Sequence, residues 1–156
     1  MPKSRPKTTV DAIDMLRHDH DKVEKALKDF EKMDRQDADA CRRLIEAVCE
    51  DLKLHTTLEE EIFYPALREA IDDEDLMNEA SVEHETAKML IDQLLSMAND
   101  DPNYFATFAV LGEYVRHHVK EEQGEMFPAA KKAKVDLFAL AERMRARKEE
   151  LAGEMA

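Results

Sequence analysis

The segment that decides the fold is HVKEEQGEMFP, residues 118–128, and a related segment, HTTLEEEIFYP, occupies residues 55–65. In both segments a Glu follows the His after four residues, and a Pro follows it after ten. Side chains four residues apart lie on the same face of an α-helix, one turn from each other. Each segment therefore predicts a helix that presents a His and a Glu together and that is kinked or ended near its Pro.

Two further histidines precede these segments at nearly equal distances. His20 lies 35 residues before His55, and His84 lies 34 residues before His118. Counted from the predicted interhelical turns, the two histidines of each pair fall at about the same level of two antiparallel helices. The chain thus contains two copies of one pattern, which predicts that six side chains meet: His20, His55, Glu59, His84, His118 and Glu122.

Apolar residues recur every three to four positions in several long segments, which is typical of amphipathic helices. The predicted helices cover about 10–33, 40–64 with a short continuation to 70, 76–97 and 101–126, and a further one covers 135–151. Short polar connections separate them, and no segment favours a strand. The sequence predicts an all-α fold, an antiparallel up-down four-helix bundle with an additional C-terminal helix. Residues 1–9 are predicted to be a flexible tail and residues 10–152 the bundle domain.

Composition narrows the classes of partner. The chain has 156 residues and a net charge of −13, which argues against nucleic acid or an anionic membrane as a partner. No apolar run approaches the roughly 18 residues of a membrane span, and no hydrophobic segment follows the basic start as in a secretory signal. Cys41 and Cys49 lie eight residues apart on one predicted helix, too far to pair, and are predicted to be buried free thiols. These features predict a cytoplasmic location.

The pattern of six residues predicts a metal site. A single His on an apolar stripe is more often a hydrogen-bonded core residue than a ligand. Four histidines and two glutamates facing one another in a bundle core would be strongly destabilising without a partner, and metal ions accept their lone pairs. The set exceeds what one ion needs, so we predict two ions. Imidazole and carboxylate suit iron or manganese, and zinc would also bind.

The register of the fourth helix leaves an alternative pair. His117 and Glu121 have the same spacing as His118 and Glu122. The second pair is favoured, because His118 shares the apolar stripe of its helix and keeps the ten-residue distance to Pro128. Candidates for a further ligand are Glu24, Glu60, Tyr64 and Tyr114, although packing in the core is the expected role of both tyrosines.

These motifs resemble the hemerythrin-like, or HHE cation-binding, family. The resemblance covers about residues 10–150 and rests on LRHDH at 16–20, the segment 55–65, EHE at 83–85 and the segment 110–128. It implies two non-haem iron ions bridged by carboxylate and by an oxo, hydroxo or water ligand, with zinc or manganese as alternatives. The implied partner is O₂, peroxide or nitric oxide. We expect the protein to be a monomer or a weak homodimer.

The resemblance implies a function in oxygen or oxidative-stress sensing or protection. Alternatives are a catalase-like or peroxidase-like di-iron enzyme, and iron or zinc storage, delivery or sensing. One departure from the oxygen-carrying members is Lys88, which stands where they have an additional His one turn after the ligand of the third helix. Another is Glu122, which follows its His after four residues instead of five. Both departures imply a centre that oxidises more readily and holds O₂ less reversibly than a carrier does.

Overall fold

Helices dominate residues 10–155, the part of the chain that this computed structural model describes, and no β-strand occurs among them. The α-helices are α1 (Ala12–Glu31), α2 (Ala38–Leu58), α3 (Tyr64–Ala70), α4 (Glu74–Ser96), α5 (Tyr104–Glu121), α6 (Phe127–Lys132) and α7 (Leu137–Met155). A π-helical turn at Glu59–Phe63 joins α2 to α3, and a second at Glu122–Met126 joins α5 to α6.

Four helical rods form the bundle: α1, α2 with α3, α4, and α5 with α6. The rods pack chiefly as α1 against α2 and α4 against α5, while α7 lies against α1, α2 and the first π turn. The all-α fold predicted from the sequence, a four-helix bundle with an additional C-terminal helix, is therefore confirmed. The predicted tail at residues 1–9 lies outside the described residues, so the division into tail and domain stays a prediction.

The two prolines end their helices less abruptly than their position predicts. Each helix continues through a π turn, in which the N–H of Tyr64 bonds to the carbonyl of Glu59 and that of Phe127 to Glu122, five residues earlier. Proline lacks an N–H and its ring collides with the carbonyl four residues earlier in a regular α-helix. A π turn directly before the proline widens the helix and avoids this collision. Glu59 and Glu122 are the first residues of these turns.

The apolar core consists of two clusters. One surrounds the π turns and includes Leu16, Phe63, Met77 and Phe127. The other fills the opposite end of the bundle and includes the two buried free thiols, Cys41 and Cys49, as the sequence predicts. On each of α1, α2, α4 and α5, one histidine lies between the segments that build these clusters, so apolar layers enclose the four histidines from both ends. They are His20, His55, His84 and His118.

Candidate metal centre

The six residues singled out by the sequence converge at the middle of the bundle. Glu59 Oε1 lies 3.1 Å from both His55 Nε2 and His84 Nε2. Glu122 Oε1 lies 3.1 Å from His20 Nε2, and its Oε2 lies 3.3 Å from His118 Nε2. Each carboxylate thus lies between two imidazoles from two different helices.

The side chains form two overlapping groups with ligand spacing. In each group the nitrogen and oxygen ligand atoms all lie within 4.8 Å of one another. Glu59 belongs to both groups, which is the arrangement expected of a carboxylate between two adjacent ions. The first group is His20, His55, Glu59 and Glu122, and the second is Glu59, His84 and His118.

Several atoms of this cluster are buried without a hydrogen-bond partner. Glu59 is 0% exposed and Glu122 is 1% exposed. Both oxygens of Glu59, Oε1 of Glu122 and Nε2 of His20 make no hydrogen bond with good geometry to any described residue. An unsatisfied buried polar group costs roughly 1–3 kcal/mol, and more when it is charged. Unpaired lone pairs that all point to one region fit bound cations, which would remove this cost.

The other ring nitrogen of each histidine is held from outside the cluster. Each Nδ1 lies 2.8–3.0 Å from a side-chain oxygen to which it donates, so Nε2 is the nitrogen that faces the centre and can bind a metal once it is unprotonated. This arrangement fixes both the tautomer and the ring orientation of a metal-binding histidine. The four pairs are His20 with Gln123, His55 with Asp19, His84 with Glu60 and His118 with Glu83.

Sequence reasoning missed these four acceptors, although the chain carries a signal for them. Asp19 and Glu83 directly precede His20 and His84, yet each holds a histidine of the neighbouring helix. Glu60, which the sequence offered as a candidate for a further ligand, accepts from Nδ1 of His84 and also receives the ammonium of Lys88 at 2.5 Å. Acidic residues beside the histidines of two antiparallel helices are therefore cross-helix partners here.

Charge within the cluster shifts the pKa of several groups. Burial alone would lower the pKa of His55 and of His118, but neighbouring carboxylates outweigh burial. The pKa of His55 is held well above its usual value by Glu59 and Asp19, and that of His118 rises to about 9 beside Glu122. Burial would raise the pKa of Glu122, but His118 and His20 hold it well below its usual range.

One tyrosine reaches the cluster, and its counterpart in the second copy is a phenylalanine. The hydroxyl of Tyr64 donates to Glu122 Oε2 at 2.5 Å and lies 3.1 Å from Nε2 of both His84 and His118. Burial and the nearby carboxylates Glu59 and Glu122 raise the Tyr64 pKa well above its usual value. Phe127, 63 residues later, stacks on His20 with ring centroids 6.0 Å apart. At this position the two halves of the centre therefore differ by one hydroxyl.

The remaining candidates lie farther out. His117 is 62% exposed and pairs with Glu121, so the alternative pair faces the surface while His118 and Glu122 face the cluster. Glu24 is bound by Arg116 at 2.9 Å on the surface. Tyr114 is 44% exposed, so the expectation that it packs in the core is wrong.

A small cavity of about 40 Å³ adjoins the cluster. Its walls include Val23, Leu52, Ala87 and Val115, together with parts of the four histidines. The exposed lining is almost entirely apolar, because the histidine nitrogens face the carboxylates instead of the cavity. A small molecule that enters this cavity therefore contacts mainly hydrocarbon.

Comparison with known proteins agrees with this fold and with metal binding. The sequence model of one protein family, the hemerythrin HHE cation binding domain, matches residues 11–130. The chain therefore belongs to that family. It is a metal-binding protein by this membership. A crystal structure of a hemerythrin HHE cation binding domain-containing protein from Mycobacterium kansasii matches with a TM-score of 0.78, covering 94% of this chain and 90% of that one. At 23% identity this likeness shows the shared fold.

A DNA nickase from Nostoc sp. is 26% identical over 116 residues. The match covers 74% of this chain but only 32% of the nickase. This chain therefore spans about a third of the length of that relative. Among the described residues, no helix is both long enough and apolar enough to cross a membrane.

Proposed function

We propose that the six clustered residues hold two iron ions and that the centre binds or reacts with O₂, peroxide or nitric oxide, in oxygen or oxidative-stress sensing or protection. The observation that carries this proposal is the pair of buried carboxylates, Glu59 and Glu122, each between two imidazoles and partly without hydrogen bonds. A centre with that donor set, and with no thiolate, suits iron and manganese, and it also accepts zinc.

When bound, two adjacent Fe(II) ions supply two electrons to a small oxidant. The protein's own contribution is to fix four imidazoles by their Nδ1 partners and to exclude bulk water by two apolar clusters. Tyr64 adds a hydroxyl proton at the edge of the centre, 3.1 Å from Nε2 of His84 and of His118. These features favour the reaction of a small oxidant at a centre that is shielded from bulk water.

The cavity supports a small ligand. A water molecule needs about 10–15 Å³ of such space, so a cavity of about 40 Å³ has room for a diatomic molecule or peroxide. Its apolar wall also favours O₂ and nitric oxide over ions. The ligand class in this proposal therefore rests on size and polarity.

Turnover of peroxide, as in a catalase-like or peroxidase-like enzyme, is the second candidate. The hydroxyl of Tyr64, bound to Glu122 beside two histidines, is the observation that favours it, because peroxide cleavage needs a proton donor near the metals. Iron or zinc storage, delivery or sensing has no comparable observation among the described residues.

The relationship to the nickase bears on partners. That relative is named for action on DNA, whereas this chain carries a net charge of −13. Binding to nucleic acid depends on neutralising phosphates with Lys and Arg, which such a surface opposes. We therefore propose that this chain acts without nucleic acid. We also propose that it acts in the cytoplasm, as a monomer or weak homodimer.

The test is an absorption spectrum of protein loaded anaerobically with two equivalents of Fe(II), then exposed to O₂ and deoxygenated. An iron-dependent charge-transfer band that forms on O₂ exposure supports the proposal. Its loss on deoxygenation indicates reversible binding, and its persistence indicates redox chemistry, in which case peroxide decomposition is measured next. A protein whose spectrum does not respond to O₂, peroxide or nitric oxide would contradict the proposal.

A further inference from the structure

We propose that Glu83, His117 and Glu121 form a second, surface site for a divalent transition-metal cation, which shares the carboxylate of Glu83 with the buried centre. His117 and Glu121 are one turn apart on α5, and Glu83 faces them from α4. Their ligand atoms all lie within 4.8 Å of one another. His117 Nε2 is 3.1 Å from Glu121 Oε1 and 3.6 Å from Glu83 Oε2.

Glu83 connects this group to the interior. Its Oε1 accepts from Nδ1 of His118 at 2.8 Å, while its Oε2 is turned towards His117. Glu83 is only 20% exposed, so its carboxylate is held in place between the two groups. The surface site therefore begins with one preorganised oxygen, and the exposed side chains of His117 and Glu121 complete a set of one imidazole and two carboxylates.

The surroundings favour a cation. The same surface hollow is lined by Asp75 and Glu79 of α4, and no Lys or Arg of the described chain is among its lining residues. One imidazole with two carboxylates suits Mn²⁺, Fe²⁺, Co²⁺ and Zn²⁺, while the imidazole makes the site less suited to Mg²⁺ or Ca²⁺. Because the site is open to solvent, water fills the other positions and the affinity is lower than at the buried centre.

The two halves of the bundle differ at this place, which separates the site from the repeated pattern. The residues 63 positions before His117 and Glu121 are Leu54 and Leu58. Leu58 is buried in the apolar cluster that includes residues of α7, and Lys148 of α7 lies 4.0 Å from Asp19, the counterpart of Glu83. His117 and Glu121 therefore occur in the half of the bundle that α7 leaves open. In the half that α7 covers, their positions are taken by leucines, and the ammonium of Lys148 lies nearby.

The experiment is a calorimetric titration of the metal-free full chain with Co²⁺, with cobalt counted after dialysis. We expect two tight equivalents and one weaker equivalent per chain. His117→Ala and Glu121→Gln should each remove the weaker equivalent and keep the two tight ones. His18→Ala removes another exposed histidine, from α1, and should keep all three.

The outcomes separate this proposal from the function of the buried centre. A weaker equivalent that is missing in the unmodified chain, that persists in both α5 variants, or that is also lost in His18→Ala overturns the surface site. Absence of the tight equivalents, with the weaker one retained, instead contradicts the two-ion centre and leaves the surface site standing.

Discussion

The hydroxyl of Tyr64 and the carboxylate of Glu122 meet at 2.5 Å across the bundle, joining the first copy of the metal-binding pattern to the second. Tyr64 lies one residue before the proline of its segment, and Phe127 holds the equivalent position in the other segment. The hydrogen bond is therefore one feature that makes two otherwise similar halves chemically different.

Replacing Tyr64 by Phe gives both halves a phenylalanine directly before the proline. We expect Tyr64→Phe to keep two irons per chain, because the six proposed ligands are unchanged, and to alter the absorption of the oxidised centre. The metal-free protein should lose about 1–3 kcal/mol of stability, because Glu122 Oε2 loses a buried partner. Iron analysis, the visible spectrum and urea unfolding measure the three effects. An identical spectrum and unchanged stability would show that the hydroxyl does not act on the centre.

His117 and His118 provide a matched pair of adjacent histidines. His118→Ala should abolish binding of at least one tightly held metal per chain, because its Nε2 faces Glu122 at 3.3 Å. His117→Ala should keep both, because its side chain is 62% exposed. Metal counting after dialysis decides between them. Loss in His117→Ala with retention in His118→Ala would move the ligand set to His117 and Glu121.

Glu59 should be essential for two-ion binding and should also stabilise the metal-free protein. Its buried carboxylate helps to hold the pKa of His55 well above its usual value, so without metal it pairs with a protonated imidazole near neutral pH. Glu59→Gln leaves that buried charge without its partner, so we expect a lower Tm without metal together with loss of two-ion binding. A variant that has an unchanged Tm without metal and still binds two ions would contradict both roles of Glu59. Thermal unfolding with and without Fe(II) provides both readouts.

Asp19 acts through His55, whose Nδ1 it holds at 2.9 Å. Removing such an outer partner typically costs 10–100-fold in metal affinity. We expect Asp19→Ala to weaken binding by that factor, whereas Asp21→Ala, an exposed control on the same helix, should leave affinity unchanged. Competition with a chelator of known affinity measures the difference. Equal affinities in both variants would show that Asp19 does not position His55.

Cys49 should be unreactive in the folded protein. Burial, with the nearby carboxylates of Glu50 and Glu46, raises its pKa to about 12, so the thiol stays protonated at pH 8. A raised pKa means that reactivity appears only as the pH approaches that value or as the chain unfolds. A thiol-specific chromogenic reagent should label the denatured chain and leave Cys49 of the native protein unlabelled. Rapid labelling of Cys49 at pH 8 would contradict its burial.

Much of this architecture follows from the sequence. Helical periodicity and the two His-x-x-x-Glu segments predict the bundle and bring His20, His55, His84 and His118 to one level, because helix geometry fixes the rise per residue. The π turns are not predictable in this way. They begin at Glu59 and Glu122, so the spacing from His to Glu belongs to the preceding α-helix and carries no information on the turn that follows. Proline indicates only that the regular hydrogen-bond pattern must change.

The side chains that accept from the Nδ1 atoms of the four histidines were missed for a different reason. Asp19 and Glu83 hold histidines of neighbouring helices, and such contacts depend on how one helix is rotated against another. Periodicity along a single helix carries no information on that rotation. Tyr64 packs in the core as expected. The contact of its hydroxyl with Glu122 across the bundle was not predicted, because it also depends on how the helices are placed against each other.

The central claim is that the six residues hold two iron ions, and the most direct measurement is iron per chain after anaerobic loading with excess Fe(II) and removal of weakly bound metal. We expect two irons per chain in the unmodified protein and in His117→Ala, and fewer than two in Glu59→Gln and in His118→Ala. One or no iron in the unmodified protein, or two irons retained in both Glu59→Gln and His118→Ala, would contradict it.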